Sequence, residues 1–374
     1  MANYRIHLVA PSALLAIALG GCSHEQTPVT GTAGTAARAS ESPQPKELKK
    51  RCDDALDFAL KRHLDTRVNA AWQIVHGILV FGRDFQVYHD GKLVSALDYL
   101  LEGGTLNGWQ LRKGDHGLEA IVEPGSKTGQ GHEDQWLGYL SQCGLSTDDK
   151  IVAGGQTYTV RDLVTQAQWD IYDGMEATWT LMGFGTLLPI DTTWKANDGS
   201  EWSLERIAGM EARQDLANSA CGGSHRLYAL SLAVNRRLAE GGKLTGGWKA
   251  ANDKIQGAIT KAKEYQQPDG SFSTNFFSRP GTSSDLTLRI NTTGHTLEFL
   301  TLSLTDKQLA EPWVTRAVVQ LLDLLERTKD LDLECGSLYH AVHALQLYRI
   351  RLDEIDKDAT TTAHAREAAP KPSL

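Results

Sequence analysis

Residues 221–232 read CGGSHRLYALSL, and two later stretches repeat this pattern. In each copy a histidine is followed five and seven positions later by leucines, with glycine shortly before the histidine. The histidines are His225, His295 and His340, and they stand roughly 45 to 70 residues apart. Recurrence of one helical unit at such intervals is typical of a helical repeat array whose connections vary in length. We therefore expect the three histidines to occupy one structural position in successive repeats.

Further residues extend this repeat. Arg236 and Arg351 fall at the same offset after their histidines. Glu176 begins a fourth, weaker copy with a leucine five positions later. Asp-Gly pairs such as Asp90-Gly91 are typical of tight turns. The chain is therefore expected to alternate helices with short reversals.

The periodicity of the apolar residues predicts helices in two kinds of surroundings. Residues 312–325 have a single apolar stripe, which is typical of an amphipathic helix that buries one face. Residues 337–348 are apolar over most of the helical circumference, as expected for a helix buried on both sides. Only residues 154–160, GGQTYTV, predict a short β-hairpin. The expected fold is therefore all-α, with inner and outer helices and one small hairpin.

The first 22 residues resemble a bacterial lipoprotein signal peptide. An apolar stretch at 8–21 ends in the lipobox-like sequence LGGC, and it is short for a transmembrane span, which is the alternative. The resemblance implies that Cys22 becomes the lipidated first residue and tethers the protein to a membrane. Ser23 at the next position favours the outer membrane.

Composition sets the expected limits of the folded domain. Residues 23–47 are rich in small and polar residues and predict a disordered tether, and residues 354–374 predict a disordered tail. Residues 48–353 remain as one domain, because stacked repeats reach this size as a single unit. The net charge of -8 and the lack of a basic cluster argue against a nucleic-acid partner.

Residues 265–272, YQQPDGSF, combine glutamines with an Asp-Gly-Ser-aromatic turn. Together with the Thr-Gly-His sequence at 293–295, this turn resembles the squalene cyclase and protein prenyltransferase superfamily, and the layout is similar to that of bacterial lipoproteins. The resemblance implies an alpha/alpha toroid, in which a ring of inner helices lies inside a ring of outer helices, over residues 48–353. The catalytic motifs of the superfamily do not carry over. Residues 330–333 lack the acidic pair that protonates an alkene, and residues 332–335 have the wrong spacing for the prenyltransferase zinc ligands.

In such a toroid the N-terminal ends of the inner helices meet on one face and present unpaired N–H groups with partial positive charge. His225, His295 and His340 near these ends are candidate bases or ligands of a divalent metal such as zinc. Glu298 and Glu176 are candidate auxiliary acids or bases. The alternative for each histidine is a structural role, in which a hydrogen-bond partner satisfies the buried ring.

Other polar and aromatic residues are expected around the same face. They include arginines that hold anions through paired hydrogen bonds, a turn carboxylate and rings that contact a ligand. The candidate substrate-binding residues are Arg226, Arg289, Asp269, Trp179 and His343. This set favours an anionic or sugar-derived small molecule.

The chain contains five cysteines. Besides Cys22, they are Cys52, Cys143, Cys221 and Cys335. The last two each stand in a Cys-Gly pair before a repeat histidine. Three interpretations stay open for them: small residues packed at helix starts, a disulfide formed in an oxidising compartment, or part of a metal site.

The sequence thus predicts an exported protein of the cell envelope, lipid-anchored and facing the periplasm or placed in the outer membrane. Its toroid is expected to enclose a polar central cavity. The first functional hypothesis is an enzyme acting on an anionic or sugar-derived substrate. The alternatives are a non-catalytic ligand-binding or envelope-scaffold protein, and an isoprenoid-binding or cyclase-like protein without the usual acidic motif.

Overall fold

The computed structural model describes residues 45–122 and 131–368. The predicted signal peptide, Cys22 and the tether up to residue 44 lie outside these residues. The described chain is mostly helical, as the sequence predicted. None of its helices is both long and apolar enough to cross a membrane.

The helices and strands follow one another along the whole described chain. The α-helices are α1 (Pro45–Leu60), α2 (Ala71–Phe81), α3 (Ala96–Leu101), α4 (Gln135–Leu140), α5 (Val160–Asp170), α6 (Thr178–Leu187), α7 (Leu204–Arg213), α8 (Ser224–Ala239), α9 (Gly246–Glu264), α10 (Leu286–Ser303), α11 (Asp306–Leu309), α12 (Pro312–Arg327) and α13 (Cys335–Ala368). The strands are β1 (Leu64–Asp65), β2 (Gln86–His89), β3 (Lys92–Ser95), β4 (Trp109–Lys113), β5 (Leu118–Val122), β6 (Lys150–Ala153), β7 (Gln156–Thr159), β8 (Thr193–Lys195) and β9 (Glu201–Ser203). Short 3-10 helices span Gly82–Asp84, Ser141–Cys143 and Ala220–Gly223.

Six helices, which we call the inner helices, contact one another in cyclic order. α2 packs on α4, α4 on α6, α6 on α8, α8 on α10 and α10 on α13, and α13 packs back on α2. Other helices lie against this set: α1 packs on α13, α7 and α9 pack on α8, and α12 packs on α10. The division follows the sequence, since α12 buries one apolar stripe whereas α10 is buried over most of its second half.

The repeat leucines form part of the core between these helices. Leu230, Leu300 and Leu345 are each fully buried, and so are Leu302 and Leu347. The first copy differs only in its second leucine, which is half-buried and packs against the same core. Burial of these side chains in equivalent places explains why the pattern recurs.

The arginines that recur after the repeat histidines satisfy backbone groups at the ends of neighbouring helices. Arg236 of α8 donates to the carbonyl oxygens of Gly185 at 3.0 Å and Thr186 at 2.6 Å, in the last turn of α6. Arg351 of α13 donates to the carbonyl of Thr301 at 2.9 Å, in the last turn of α10. Such carbonyls have no partner within their own helix. Because the C-terminal part of α8 lies beside the end of α6, these two neighbours run in the same direction.

The strands form four small sheets rather than the single predicted hairpin. The predicted hairpin at 154–160 is present as β6 and β7. β4 pairs with β5 and β8 with β9, while β1, β2 and β3 form a three-stranded sheet. The prediction of one hairpin was therefore wrong, because strands this short carry too few residues for an alternating pattern. The Asp90-Gly91 turn joins β2 to β3, and both residues have positive φ, as a two-residue hairpin turn requires.

The helical region extends past both predicted limits of the domain. α1 begins at Pro45, where a first-turn proline costs no hydrogen bond, within the stretch predicted as tether. α13 continues to Ala368, beyond the predicted end at residue 353. The stretch after 353 contains alanine, glutamate and lysine, which have high helix propensity.

Candidate functional site

The three repeat histidines lie together at the centre of the inner helices, with a fourth histidine beside them. The ring centroids of His295 and His340 are 4.0 Å apart, and that of His225 lies 4.8 Å from His340 and 5.0 Å from His295. The ring of His76 lies 4.9 Å from that of His340. All four side chains are buried. We call these four residues the histidine cluster.

The histidines reach the cluster from different positions on their helices. His225 stands at the start of α8, as predicted, whereas His340 lies in the second turn of α13 and His295 lies in the middle of α10. The expectation that all three stand at helix starts was therefore wrong. α10 begins earlier because Asp285 caps it, accepting hydrogen bonds from the N–H groups of Thr287 and Leu288.

A close helix contact brings two of the histidines side by side. Gly294 of α10 lies against Ala341 of α13, where an added Cβ atom would stand 2.7 Å from the Ala341 Cα atom. Only glycine permits this approach of the two backbones. The contact explains the glycine upstream of His295 and the short distance between the rings of His295 and His340.

Hydrogen bonds fix the tautomers of two cluster histidines. Nδ1 of His295 lies 2.8 Å from the Asn291 carbonyl oxygen, and Nδ1 of His340 lies 2.9 Å from Oε2 of Glu298. A carbonyl or carboxylate oxygen accepts, so each Nδ1 carries a proton, and in the neutral form of the ring Nε2 presents a lone pair. Both Nε2 atoms are buried and have no hydrogen-bond partner among the described residues. This arrangement, with Nδ1–H on a protein oxygen and a free Nε2, is the one that metal-ligating histidines adopt.

Cys221 adds a thiol to the cluster. Three atoms lie within 4.8 Å of one another: the Sγ atom of Cys221, one ring nitrogen of His225 and one ring nitrogen of His295. The backbone of Cys221 has a φ of 48°, and Gly222 and Gly223 after it also have positive φ. Positive φ is uncommon for a residue with a side chain and concentrates at functional sites. The tight turn ends at Ser224, where α8 begins with His225 in its first turn.

Glu298 is a buried carboxylate that faces two histidines. Oε1 lies 2.5 Å from Nδ1 of His343, and Oε2 lies 2.9 Å from Nδ1 of His340. Burial by itself raises the pKa of Glu298, but His340 and His343 outweigh it and hold the pKa well below its usual value. Glu298 is therefore ionised and accepts from both rings.

The electrostatic environment differs from one histidine of the cluster to the next. Burial, together with the neighbouring His340 and His295, lowers the pKa of His225 well below its usual value. Burial also lowers the pKa of His340. Burial acts in the same direction on His295, but Cys221 and Glu298 more than offset it and raise its pKa to about 9. Positive charge is thus stabilised at the point where His295 faces the thiol.

Two further predicted residues lie beside the cluster. Glu176 pairs with His132, whose Nδ1 lies 2.7 Å from Oε2. The ring of His132 stacks on that of Trp179 at 4.2 Å, and Trp179 lies 5.4 Å from His225. Trp179 is 1 % exposed, so it forms an internal wall rather than a surface on which a sugar stacks. The half-buried pair of Glu176 and His132 is the part of this group that solvent reaches.

The two arginines predicted as anion clamps are bound to carboxylates of the protein. Nε of Arg226 lies 2.8 Å from Oε2 of Glu211. Arg289 pairs with Asp269, so these two candidate ligand-binding residues bind each other. The clamp role therefore stays a prediction that requires these pairs to open.

A small cavity borders the cluster on its inner side. Its volume is about 10 Å³, and a single water molecule needs roughly 10–15 Å³. The lining residues include Tyr139, Gln142, Tyr228, His343 and Glu298. The pocket therefore has room for about one water molecule, and the polar central cavity of a toroid stays a prediction.

His76 was missed by sequence reasoning. It lies in α2, which ends at Phe81, so the leucines that mark the other copies have no counterpart. Nδ1 of His76 lies 2.5 Å from the Trp72 carbonyl oxygen, and its Nε2 lies 3.5 Å from the hydroxyl of Tyr139. The sequence signal that could have indicated His76 is a histidine within a helical segment that is apolar over most of its circumference.

The other cysteines stand apart from Cys221. All four cysteines in the described part of the chain are free thiols. Burial raises the pKa of Cys52 and Cys143 to about 12 and that of Cys335 to about 11. Sγ of Cys335 lies 3.6 Å from Nε2 of Gln73 rather than beside the histidine cluster.

The arrangement can therefore hold a cation between a thiol and two imidazoles, and it places an oriented imidazole, His340 on Glu298, next to them. Both abilities follow from residues that the fold brings together from distant parts of the chain. Comparison of the chain with models of known families, with curated proteins and with solved structures gives no match.

Proposed function

We propose that this protein is a metal-dependent hydrolytic enzyme whose ion is bound by Cys221, His225 and His295. The observation that carries the proposal is the convergence of these three donor atoms within 4.8 Å of one another. Donors on one tetrahedral zinc ion lie about 3.3–3.5 Å apart, given bond lengths of about 2.0–2.3 Å. A small inward movement closes the set on an ion. Thiolate and imidazole together suit zinc better than magnesium or calcium, which prefer oxygen.

Three protein ligands leave one position for water or substrate, which is typical of catalytic zinc. The water-sized cavity borders one of these ligands, His225, and also His340. His340 is the proposed base, since its Nε2 is buried without a partner and its Nδ1–H is held by Glu298. A carboxylate that accepts from Nδ1–H in this way fixes the tautomer and the orientation of the imidazole.

The proposed reaction is hydrolysis of an ester, amide or phosphoester, including sugar-derived ones. A metal ion held by Cys221, His225 and His295 would supply a polarised water molecule, and His340 would take one of its protons at Nε2. The water oxygen then forms a bond to the electrophilic carbon or phosphorus. The bond to the leaving group breaks with its electron pair, and the leaving group receives the proton from His340.

Metal analysis of the full-length protein tests this proposal. We expect about one zinc per chain after purification and the same stoichiometry when cobalt is exchanged in. An open position further predicts that azide changes the visible spectrum of the cobalt protein. A protein that retains no stoichiometric transition metal after incubation with zinc would contradict the proposal.

A structural metal centre in a non-catalytic envelope scaffold is the second candidate. The small cavity and the burial of Trp179 favour it, because both restrict access to the ion. A cobalt spectrum unaffected by azide, together with unchanged stoichiometry, would select this candidate. Isoprenoid binding lacks such support, since the cavity beside the cluster has room for one water molecule.

We further propose that the inner helices form the inner ring of an alpha/alpha toroid. The cyclic packing and the shared direction of α6 and α8 support this assignment. We also propose that the protein is exported and anchored in the cell envelope through Cys22, on the basis of the lipobox-like sequence. Metabolic labelling with a fatty acid analogue tests the anchor: the unaltered protein should be labelled, and Cys22→Ala should not.

A further inference from the structure

Glu211, on the outer helix α7, has a fully buried carboxylate. It lies 2.8 Å from Nε of Arg226, the residue that follows His225. Nη1 of Arg226 also hydrogen-bonds the hydroxyl of Ser219, which stands two residues before Cys221. The Arg226 side chain therefore connects the two ends of residues 219–226, which we call the ligand loop, and ties them to Glu211.

The same carboxylate also holds the start of α6. Oε1 of Glu211 accepts from the backbone N–H of Ala177 at 3.1 Å, and Oε2 accepts from the hydroxyl of Thr178 at 2.6 Å. The next residue is Trp179, whose ring lies beside that of His225. Glu211 thus fixes the ligand loop relative to the wall of the histidine cluster.

Stability alone does not account for a pair buried in this way. Removing two charges from water costs several kcal/mol per ion, and well-packed apolar residues in the same place are often as stable or more so. The ligand loop also contains the positive φ angles of Cys221 and Gly222, which an unconstrained loop would not favour. A rigid ion pair across the base of the loop preserves this conformation.

We infer that Arg226 and Glu211 are a positioning pair, which holds Cys221 and His225 at the spacing that a metal ion requires. The inference rests on the proposed metal centre. It also assigns Arg226 to the protein's own Glu211 rather than to a substrate anion. Residues that orient metal ligands in other proteins change affinity by about 10- to 100-fold when altered.

The chain offers a matched control at the other end of the inner helices. Arg351 is as buried as Arg226, at 4 % against 6 % exposed. It likewise pairs with a carboxylate, that of Asp306, and bonds the backbone of α10. It follows a repeat histidine in the sequence but has no contact with the ligand loop in the described structure. Its loss should therefore cost stability without changing metal binding.

The experiment compares Arg226→Gln with Arg351→Gln in the full-length protein, using zinc affinity by chelator competition and thermal unfolding of the metal-free form. We expect both variants to lose stability and only Arg226→Gln to bind zinc about 10- to 100-fold more weakly. Ser219→Ala is the milder variant, which keeps the ion pair intact. It should weaken zinc binding several-fold at an unchanged unfolding temperature.

The outcomes separate this inference from the proposed function. An unaltered protein that binds no zinc overturns both. If the unaltered protein binds zinc and both arginine variants bind it equally well, the positioning role is wrong while the metal centre stands. If Arg226→Gln does not fold, an unchanged zinc affinity in Ser219→Ala overturns the positioning role.

Discussion

Cys221 and Cys335 each begin a Cys-Gly pair that stands shortly before a repeat histidine. The chain around the two cysteines nevertheless takes up different conformations. Cys221 lies in the ligand loop, ahead of α8, and faces His225 and His295. Cys335 is the first residue of α13 and is buried against Gln73. The position at which the helix begins differs by a few residues between the two copies. That difference separates a candidate metal ligand from a core thiol.

The histidines that follow differ in the same way. His225 stands at a helix start beside Cys221 and His295, and His340 lies within a helix, where Glu298 of α10 reaches its Nδ1. One copy of the repeat therefore carries the proposed ligand and the other the proposed base. The repeat fixes where the side chains converge, while the local helix boundary decides what each one does.

Substitution of Cys221 gives the largest expected effect on zinc binding, with the same substitution of Cys335 as its control. Cys221→Ser should weaken zinc binding by more than about 100-fold, since it removes a ligand rather than a residue behind one. It should also abolish the thiolate-to-cobalt charge-transfer band of the cobalt protein. Cys335→Ser is the matched control and should keep both affinity and band. Equal behaviour of the two variants would remove the distinction drawn between the copies.

The next comparison distinguishes the proposed roles of His225 and His340 by measuring the metal content and the activity of their variants. His225→Ala should lose both, whereas His340→Gln and Glu298→Gln should keep the metal and lose about 10²- to 10⁴-fold in rate, as for an oriented base. The measurements are zinc content and hydrolysis of chromogenic esters and phosphoesters. If His340→Gln loses the metal as His225→Ala does, His340 is a ligand and not the base.

The glycines before the histidines allow a comparison of stability. Gly294→Ala places a Cβ atom against the Ala341 backbone and should cost about 1–3 kcal/mol, because neither helix can move without opening the core. Gly336→Ala meets only the flexible side chain of Glu334 and should cost less than about 0.5 kcal/mol, since alanine favours the helix. Urea unfolding measures both. A similar cost for the two would contradict the close contact of α10 and α13.

Acidic residues before two inner helices should give small and opposite pH effects. Asp134 precedes α4, and burial raises its pKa from 3.8 to about 6. The hydrogen bond from Thr180 opposes this shift, and Asp134 itself is partly exposed. The folded state then binds a proton more tightly than the unfolded state, so stability falls as pH rises from about 4 to 6. Glu334 caps α13 through Gly336 and Ser337. Burial opposes the effect of these hydrogen bonds, which nevertheless lower the pKa of Glu334, so its contribution is present above pH 4.5 and disappears at lower pH.

Unfolding free energies between pH 3 and 7 measure both contributions. Asp134→Asn should flatten the decline between about pH 4 and 6 by about 1 kcal/mol, and Glu334→Gln should flatten the acid limb only. Identical pH profiles for the two variants would contradict the opposite assignments.

The sequence predicted those features that depend on periodicity. The buried leucines, the helical class and the convergence of His225, His295 and His340 follow from a pattern that repeats because each copy packs alike. The resemblance to a toroid superfamily stays a prediction, as does the lipid anchor at Cys22.

The remaining features depend on contacts between distant residues, which spacing does not specify. Glu298 meets His340 across 42 positions of the chain, and nothing in either segment names the partner. The early start of α10 depends on the cap by Asp285, and His295 therefore lies away from the helix end. The conformation of Cys221 depends on a loop whose glycines admit several turns. The short hairpins lack enough residues for a period to appear.

The order in which the chain is synthesised gives the cyclic packing a further consequence. Among the described helices α2 is one of the first made and α13 is the last, yet they contact each other and bring His76 next to His340. A contact between such distant segments forms late, because it closes a loop of more than 250 residues. A nascent or truncated chain that ends before Cys335 has neither the closing helix nor the proposed base. Completion of the fold and completion of the proposed reactive centre are therefore the same event, and a partly made protein would hold the proposed ligands without the proposed base.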